Sequence, residues 1–259
     1  MKYNRHLFIK TFFDFSLSLI ILLIIIPLLF ICLFTIFISD GGNPFYISKR
    51  VGLRGKVFKI FKIRTMVINA DKIGGTSTKN SDNRLLPIGK YIRKFKLDEL
   101  VQLINVVNFT MSLVGPRPNT PLDVSYYSSE EKNLLKVKPG ITDFSSIVFA
   151  DEGIILDKYS DPDIAYNQLI RPWKSKLGLF YITKSDLFTD FSLIILTFLN
   201  IFNRKKALNL VSKLIENKGG SKDLVRLAKR LDPLVPSPPP GFKKIITNLN
   251  NNNNDKLTS

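Results

Sequence analysis

The chain has 259 residues, enough for one substantial core with room for an appendage. Its 38 Lys+Arg against 21 Asp+Glu give a formal net charge of +17, which suits an anionic partner: nucleic acid, an anionic membrane face or a phosphorylated substrate. One cysteine (Cys32) and one histidine (His6) exclude a disulfide framework, Cys-based zinc sites and histidine triads.

In chain order, the first feature is an uncharged apolar run from Phe15 to Ile38. A straight helix of that length reaches about 36 Å, enough to cross the hydrocarbon of a bilayer. Pro27 in its middle removes a backbone hydrogen bond and kinks or breaks a helix. Lys2, Arg5 and Lys10 precede the run, and Lys49, Arg50, Arg54 and Lys56 follow it. Basic flanks on both sides suit a re-entrant segment with both ends in the cytoplasm. A single crossing is the alternative; a signal peptide fits worse, because the run is long and lacks a small-residue cleavage site. Residues 1–40 are therefore read as a membrane-embedded re-entrant helix.

Between residues 40 and 66, apolar Phe45, Ile47, Val51, Val57, Phe58, Ile60 and Ile63 interleave with lysines and arginines, with Gly52 and Gly55 between the halves, as in a β-hairpin. Residues 67–83 are polar and read as a mobile loop. From 84 to 108, Ile88, Ile92, Phe95, Leu100, Leu103, Ile104 and Val107 recur at helical spacing. Ser128-Ser129-Glu130 start another short helix, ended by Lys138-Pro139-Gly140. The 185–202 segment reads as an interfacial helix or, equally, a buried core helix. Residues 208–259 hold a short charged helix (223–231), then Pro233 to Pro240 and an Asn-rich end at 248–254, and are read as a largely disordered basic tail. The cytoplasmic domain is thus 41–207, and the fold class is α+β: a re-entrant helix, then a compact, mostly helical catalytic domain with a small hairpin and interfacial amphipathic helices.

The chemistry centres on Leu97-Asp98-Glu99-Leu100, two adjacent carboxylates that follow Arg84, Lys90, Arg93, Lys94 and Lys96 and precede a Pro116-Arg117-Pro118 turn. A basic surround keeps carboxylates ionised, able to attack phosphorus or hold a metal. Side chains at adjacent helical positions point about 100° apart, so the two divide labour unless the helix is distorted. Phosphoryl transfer through a carboxylate needs charge neutralisation by Mg²⁺ and Arg/Lys clamps, which Arg64, Arg84, Arg93 and Arg117 can supply. The plain alternative is an exposed pair bridged to nearby lysines.

Six ordered strings decide between these. They are Gly42–Tyr46 with Lys49-Arg50-Val51-Gly52, Phe61-Lys62-Ile63-Arg64-Thr65-Met66, and Asp82-Asn83-Arg84 with Ile88-Gly89 and Arg93. They continue with Leu97–Leu100 plus Gln102-Leu103 and Asn105-Val106, Met111–Pro118, and Lys138–Thr142. Together, over about residues 5–205, they resemble the bacterial sugar transferases, or monotopic phosphoglycosyl transferases. The resemblance implies transfer of a sugar 1-phosphate from a UDP-sugar to polyprenol (undecaprenyl) phosphate at the inner leaflet of the bacterial cytoplasmic membrane. UMP leaves, and the step initiates polysaccharide or glycoconjugate synthesis. It assigns Asp98 as nucleophile, Glu99 as its dyad partner, Mg²⁺ as the cofactor at the dyad and Arg117 as a holder of phosphate oxygens; Lys62, Arg64, Arg84 and Arg93 join Arg117 as candidate substrate and phosphate ligands. The partners implied are the two substrates and the membrane, with no nucleic acid; homo-oligomerisation is left open. Four positions depart from the family pattern. Val101 replaces a proline, Phe109-Thr110 replace a Gly-Asp, and Ile26 replaces the serine before the membrane proline. Two other readings are a membrane-tethered nucleic-acid binder and a catalytically silent scaffold of the same fold. The sequence does not disclose which sugar is transferred.

Overall fold

The computed structural model describes residues 2–75 and 77–247, with side chains from residue 8 onward. Helix α1 (Lys2–Asp40) stays helical through Pro27 instead of separating into two helices. Its stretch Phe8–Asp40 is long and apolar enough to cross a membrane. One face is covered by protein: Asp14, Ser18, Leu29, Cys32 and Ile36 are buried, and Leu22 and Ile25 pack between them. That three- and four-residue spacing is one stripe of a helix. Leu23, Ile24, Phe30 and Ile31 on the other side are exposed.

Strands β1 (Phe45–Val51) and β2 (Val57–Ile63) form the expected antiparallel hairpin, in register from Phe45↔Ile63 to Val51↔Val57. Arg54 (φ 56°) and Gly55 (φ 76°) make its turn, two left-handed residues in succession that match the twist of the strands. The loop expected to be mobile contains α2 (Ala70–Ile73) and is clasped across the domain. The backbone N–H of Ser77 donates to Asp163 Oδ1 (2.9 Å), that of Asn80 to Gly153 O (3.2 Å), and the Ser81 hydroxyl to Asp157 Oδ1 (2.8 Å).

The single helix expected over 84–108 is three pieces: α3 (Pro87–Lys94), a 3-10 helix (Leu97–Gln102) and α4 (Leu103–Val107). Lys96, in the left-handed conformation (φ 56°), makes the break. Then come β3 (Ser112–Val114), α5 (Pro121–Ser125), a 3-10 helix (Glu131–Lys136) and β4 (Gly140–Thr142). The start read at Ser128 is a reciprocal cap: Glu131 N–H donates to Ser128 Oγ, and Ser128 N–H to Glu131 Oε2. Strands β3 and β4 pair in parallel, Ser112↔Gly140 and Val114↔Thr142.

Short helices α6 (Phe144–Val148), α7 (Glu152–Leu156) and α8 (Pro162–Ala165) lead through a π-helical turn (Tyr166–Ile170) into α9 (Arg171–Lys184), α10 (Leu187–Phe202), α11 (Arg204–Asn217) and α12 (Lys222–Lys229). Phe144, Ile147, Leu177, Leu193, Val211 and Ile215 form the centre of the main core. A second cluster joins α1 to the dyad segment: Leu29, Cys32 and Ile36 against Ile63, Leu86, Ile92 and Val101. Helix α10 meets its reading as a core helix on one face and leaves the other apolar face exposed. Leu193, Leu196 and Asn200 are buried, while Phe188, Phe191, Ile195, Phe198 and Phe202 are exposed.

The reading of 208–259 as a disordered tail is overturned for 208–247. Helix α11 runs through the 207/208 boundary, and Leu208, Val211, Leu214, Ile215, Leu224 and Ala228 belong to the main core. The proline-rich segment beyond is irregular but fastened. Ser237 N–H donates to Gln168 O (3.0 Å), and Ser128 Oγ donates to Pro240 O (2.6 Å). Phe242 and Ile246 are buried. The Asn-rich end, 248–254, lies outside the described residues. The molecule is therefore a mixed, helix-rich fold with few strands and one apolar N-terminal helix.

Candidate active site

Asp98 and Glu99 open the 3-10 helix, where successive side chains lie about 120° apart and the first residues are held by the left-handed Lys96. That angle exceeds the roughly 100° of an α-helix, so the two carboxylates point apart and divide labour. Asp98 is buried, and among the described residues its carboxylate makes no hydrogen bond. Glu99 is fully engaged. Lys62 Nζ on β2 donates to Glu99 Oε1 (3.0 Å), and Arg117 forks onto it, Nη1 to Oε2 (3.0 Å) and Nη2 to Oε1. Bidentate pairing of this kind fixes orientation as well as charge.

Arg117 reaches the dyad because two backbones press together behind it. Gly115 N–H donates to Thr142 O (3.0 Å) and Gly140 N–H to Pro116 O (3.0 Å). A Cβ on Gly140 would lie 2.1 Å from Gly115 N, so only glycine permits the approach. Arg117 Nη1 also donates to Ile141 O (2.6 Å), which ties the arginine to β4.

The electrostatics separate the two acids. Burial pushes the Asp98 carboxyl above the usual carboxylate range; the Glu99 charge adds to this, while Lys62, Arg93 and Arg117 oppose it. Burial acts in the same sense on Glu99, but Arg117, Lys62 and Lys96 together outweigh it and hold that carboxyl well below its usual range. One acid is thus a fixed anion that orders the cations. The other is desolvated and free of hydrogen-bond partners, the condition of a competent nucleophile.

Of the predicted phosphate ligands, Lys62, Arg93 and Arg117 converge on the dyad. Arg93 spends Nε on Thr65 Oγ1 (2.7 Å), and among the described residues its terminal nitrogens make no hydrogen bond. Arg64 and Arg84 do not join them. Arg64 Nη1 and Nη2 donate to the Asp40 carboxylate (2.5 and 2.6 Å) and Nε to Asn43 O (2.6 Å), locking the end of α1 to β2. Arg84 pairs with Asp82 and donates to Ala70 O and Gly75 O, which shapes the 67–83 loop. A guanidinium so committed has no fork left for phosphate.

Sequence reasoning omitted Lys96 from the site. Its ammonium is buried, donates to Ser146 O (3.1 Å), and is pushed below the usual lysine range by burial despite the nearby Glu99. Its place two residues before Asp98 was the available signal. Thr110, where the family pattern has aspartate, is not part of this group. Its hydroxyl donates to Asn105 O (3.0 Å) and accepts from Asn105 Nδ2 (3.2 Å), closing the turn after α4.

As to a metal, no cluster of three or more carboxylate, histidine or cysteine groups occurs among the described residues. Asp98, whose carboxylate accepts no hydrogen bond among the described residues, fits as one carboxylate ligand of Mg²⁺, with water and substrate phosphates completing the shell; Glu99, expected as a second ligand, is taken up by Arg117 and Lys62.

The sequence profile of the bacterial sugar transferases matches residues 5–204. The chain belongs to the bacterial sugar transferase family. All of the dyad and its cations lie within the matched span, whereas α12 and the proline-rich segment lie beyond it. A Bacillus subtilis relative, named for undecaprenyl-phosphate N-acetylgalactosaminyl 1-phosphate transfer, is 38% identical over 129 residues, 50% of this chain and 72% of its own length. The undecaprenyl-phosphate galactose phosphotransferase of Salmonella typhimurium is 36% identical over 150 residues, 52% of this chain and 31% of that protein. The UDP-glucose:undecaprenyl-phosphate glucose-1-phosphate transferase of Escherichia coli is 37% identical over 138 residues, 52% and 30% of the two chains. This sugar transferase thus spans under a third of the latter two relatives.

Proposed function

We propose that this protein transfers a sugar 1-phosphate from a UDP-sugar to undecaprenyl phosphate or a similar polyprenol phosphate, with UMP as leaving group. The observation that carries the reading is the desolvated, unpartnered Asp98 carboxylate beside a Glu99 saturated by Arg117 and Lys62. In the first step an Asp98 oxygen attacks the β-phosphorus, the bond from that phosphorus to the UMP oxygen breaks, and a phosphosugar is left on Asp98. In the second, a phosphate oxygen of the polyprenol phosphate attacks the same phosphorus and Asp98 leaves as carboxylate. Arg93, Lys62 and Arg117 neutralise the charge carried by the phosphate oxygens. Mg²⁺, for which Asp98 is the available carboxylate, would supply further neutralisation when bound.

A two-step route suits a site that meets one water-soluble and one membrane-bound substrate in turn. Both ends of α1 are tied to one globular domain. Lys10 Nζ lies 2.5 Å from Asp190 Oδ2 on α10, and Asp40 grips Arg64 after β2. These ties support a re-entrant placement with both ends cytoplasmic, the exposed aromatic side of α10 resting on the same leaflet. Cysteines introduced by Tyr3→Cys and Phe45→Cys should then both be shielded from an impermeant reagent in intact cells; exposure of one alone would mean a true crossing. The activity is tested by UMP release across a panel of UDP-sugars with polyprenol phosphate and Mg²⁺. Absence of UMP with every donor, from folded protein in vesicles, would favour the scaffold reading.

A further inference from the structure

Phe109 occupies a conformation that its side chain does not favour. Its φ is 58°, the left-handed region that glycine enters freely and a bulky residue enters at a cost. The cost is not offset by burial, because the residue is 52% exposed. What it gains is position. Its ring stacks on Phe15 of α1, with centroids 5.4 Å apart and planes within 9°. Lys138 Nζ stands 5.4 Å from the centre of the Phe109 ring. Phe8, Phe12 and Phe15 recur at helical spacing, with Phe8 and Phe12 exposed, so Phe109 widens an aromatic face that α1 already presents.

The level of this patch along α1 follows from its neighbours. Lys10 and Asp14, in the same turns of the helix, turn toward the domain, where Lys10 meets Asp190 and Asp14 accepts from Ser112 Oγ (2.5 Å). Beyond them the run to Ile38 has no charge. The aromatic face therefore lies where the charged end of the helix gives way to its apolar body, the level at which aromatic rings collect in membrane proteins.

We propose that Phe15, Phe109 and Lys138 form an interfacial lipid site, in which the stacked rings enter the headgroup–acyl boundary and the lysine meets the phosphate of an anionic phospholipid. Two features favour this occupant: the patch is continuous with the apolar face of α1, and Lys138 places a cation against its aromatic ring. The proposal rests on the membrane placement of α1 argued above, and its test separates the two.

Phe109→Trp in a Trp173→Phe background, reconstituted in phospholipid vesicles, should lose fluorescence to lipids brominated near the headgroup more than to lipids brominated deep in the chain. Brominated phosphatidylglycerol should quench it better than brominated phosphatidylcholine by roughly fivefold in apparent affinity, the effect of one interfacial lysine, and Lys138→Gln should abolish that preference. A second reporter, Ile24→Trp in the same background, sits on the exposed side of α1. Quenching at 24 but not at 109 overturns the lipid site and leaves the membrane helix standing. Quenching at neither position overturns both. Quenching at 109 with no preference for the anionic lipid, or a preference that survives Lys138→Gln, removes the lysine from the proposal.

Discussion

Removing Lys62 should move the pH dependence of the first chemical step. Lys62 Nζ lies 3.0 Å from Glu99 Oε1 and is also the strongest cationic influence that favours the charged form of Asp98. Lys62→Met keeps the length and apolar stem of the side chain and deletes only the charge. A unit charge a few ångströms from a buried carboxylate is worth about 2–4 kcal/mol at an effective dielectric near 20. Arg93 and Arg117 remain, so the lower end applies, and loss of the Lys62 charge should push the Asp98 carboxyl further above its usual range. The sign follows from the chemistry: attack needs the anion, so the rate climbs as pH rises through that pKa, and a higher pKa displaces the climb to higher pH. The assay is the burst of UMP from vesicle-bound enzyme without acceptor, which isolates the first step from the titration of the polyprenol phosphate. Lys62→Arg should keep the wild-type profile. A Lys62→Met profile lowered evenly at every pH, with its acid limb unmoved, would refute the electrostatic role and leave Lys62 as a substrate ligand only.

Asp98→Asn should remove the UMP burst while UDP-sugar binding, followed by calorimetry, persists; an undiminished burst would assign the nucleophile elsewhere. Arg171→Met leaves the fully buried Glu131 without its Nε and Nη2 donors (3.2 and 2.7 Å), which should cost about 3–5 kcal/mol and lower the midpoint of thermal unfolding by several degrees. Truncation after Asn203 strips Ala207, Val211 and Ile215 from the core, so the shortened protein should aggregate or bind hydrophobic dye. A monodisperse, active product would contradict the core assignment.

The N-terminal helix and the hairpin were legible because each depends on local pattern: an uncharged run of helical length, and alternation either side of a glycine-bearing turn. The grouping of Lys62, Arg93 and Arg117 around Asp98 and Glu99 agrees with the expected site, whose chemical roles belong to the proposal. The fate of each arginine was harder, since a guanidinium goes to whichever acceptor the fold brings near. Arg64 finds Asp40, 24 residues earlier in the chain, and no local signal announces it. Arg84 finds Asp82, two residues away, and that spacing was readable. The error over 208–247 came from weighing composition above period. Leu208, Val211 and Ile215 fall on one helical face, and the proline-rich segment is fixed by backbone bonds that composition does not encode. The break at Lys96 was invisible because the apolar period runs on through it, while the backbone rotates there to bring two adjacent carboxylates into one basic surround.

Helix α1 is also a wall of the catalytic domain. Its second half supplies Leu29, Cys32 and Ile36 to the cluster that holds Ile63 and Val101, and its last residue holds Arg64 just past the strand that carries Lys62. Deleting this helix would therefore expose the cluster of Ile63, Leu86, Ile92 and Val101 beside Asp98 and Glu99. A better-behaved protein calls for repainting the exposed apolar side at Leu23, Ile24, Phe30 and Ile31 with polar residues while the helix stays in place.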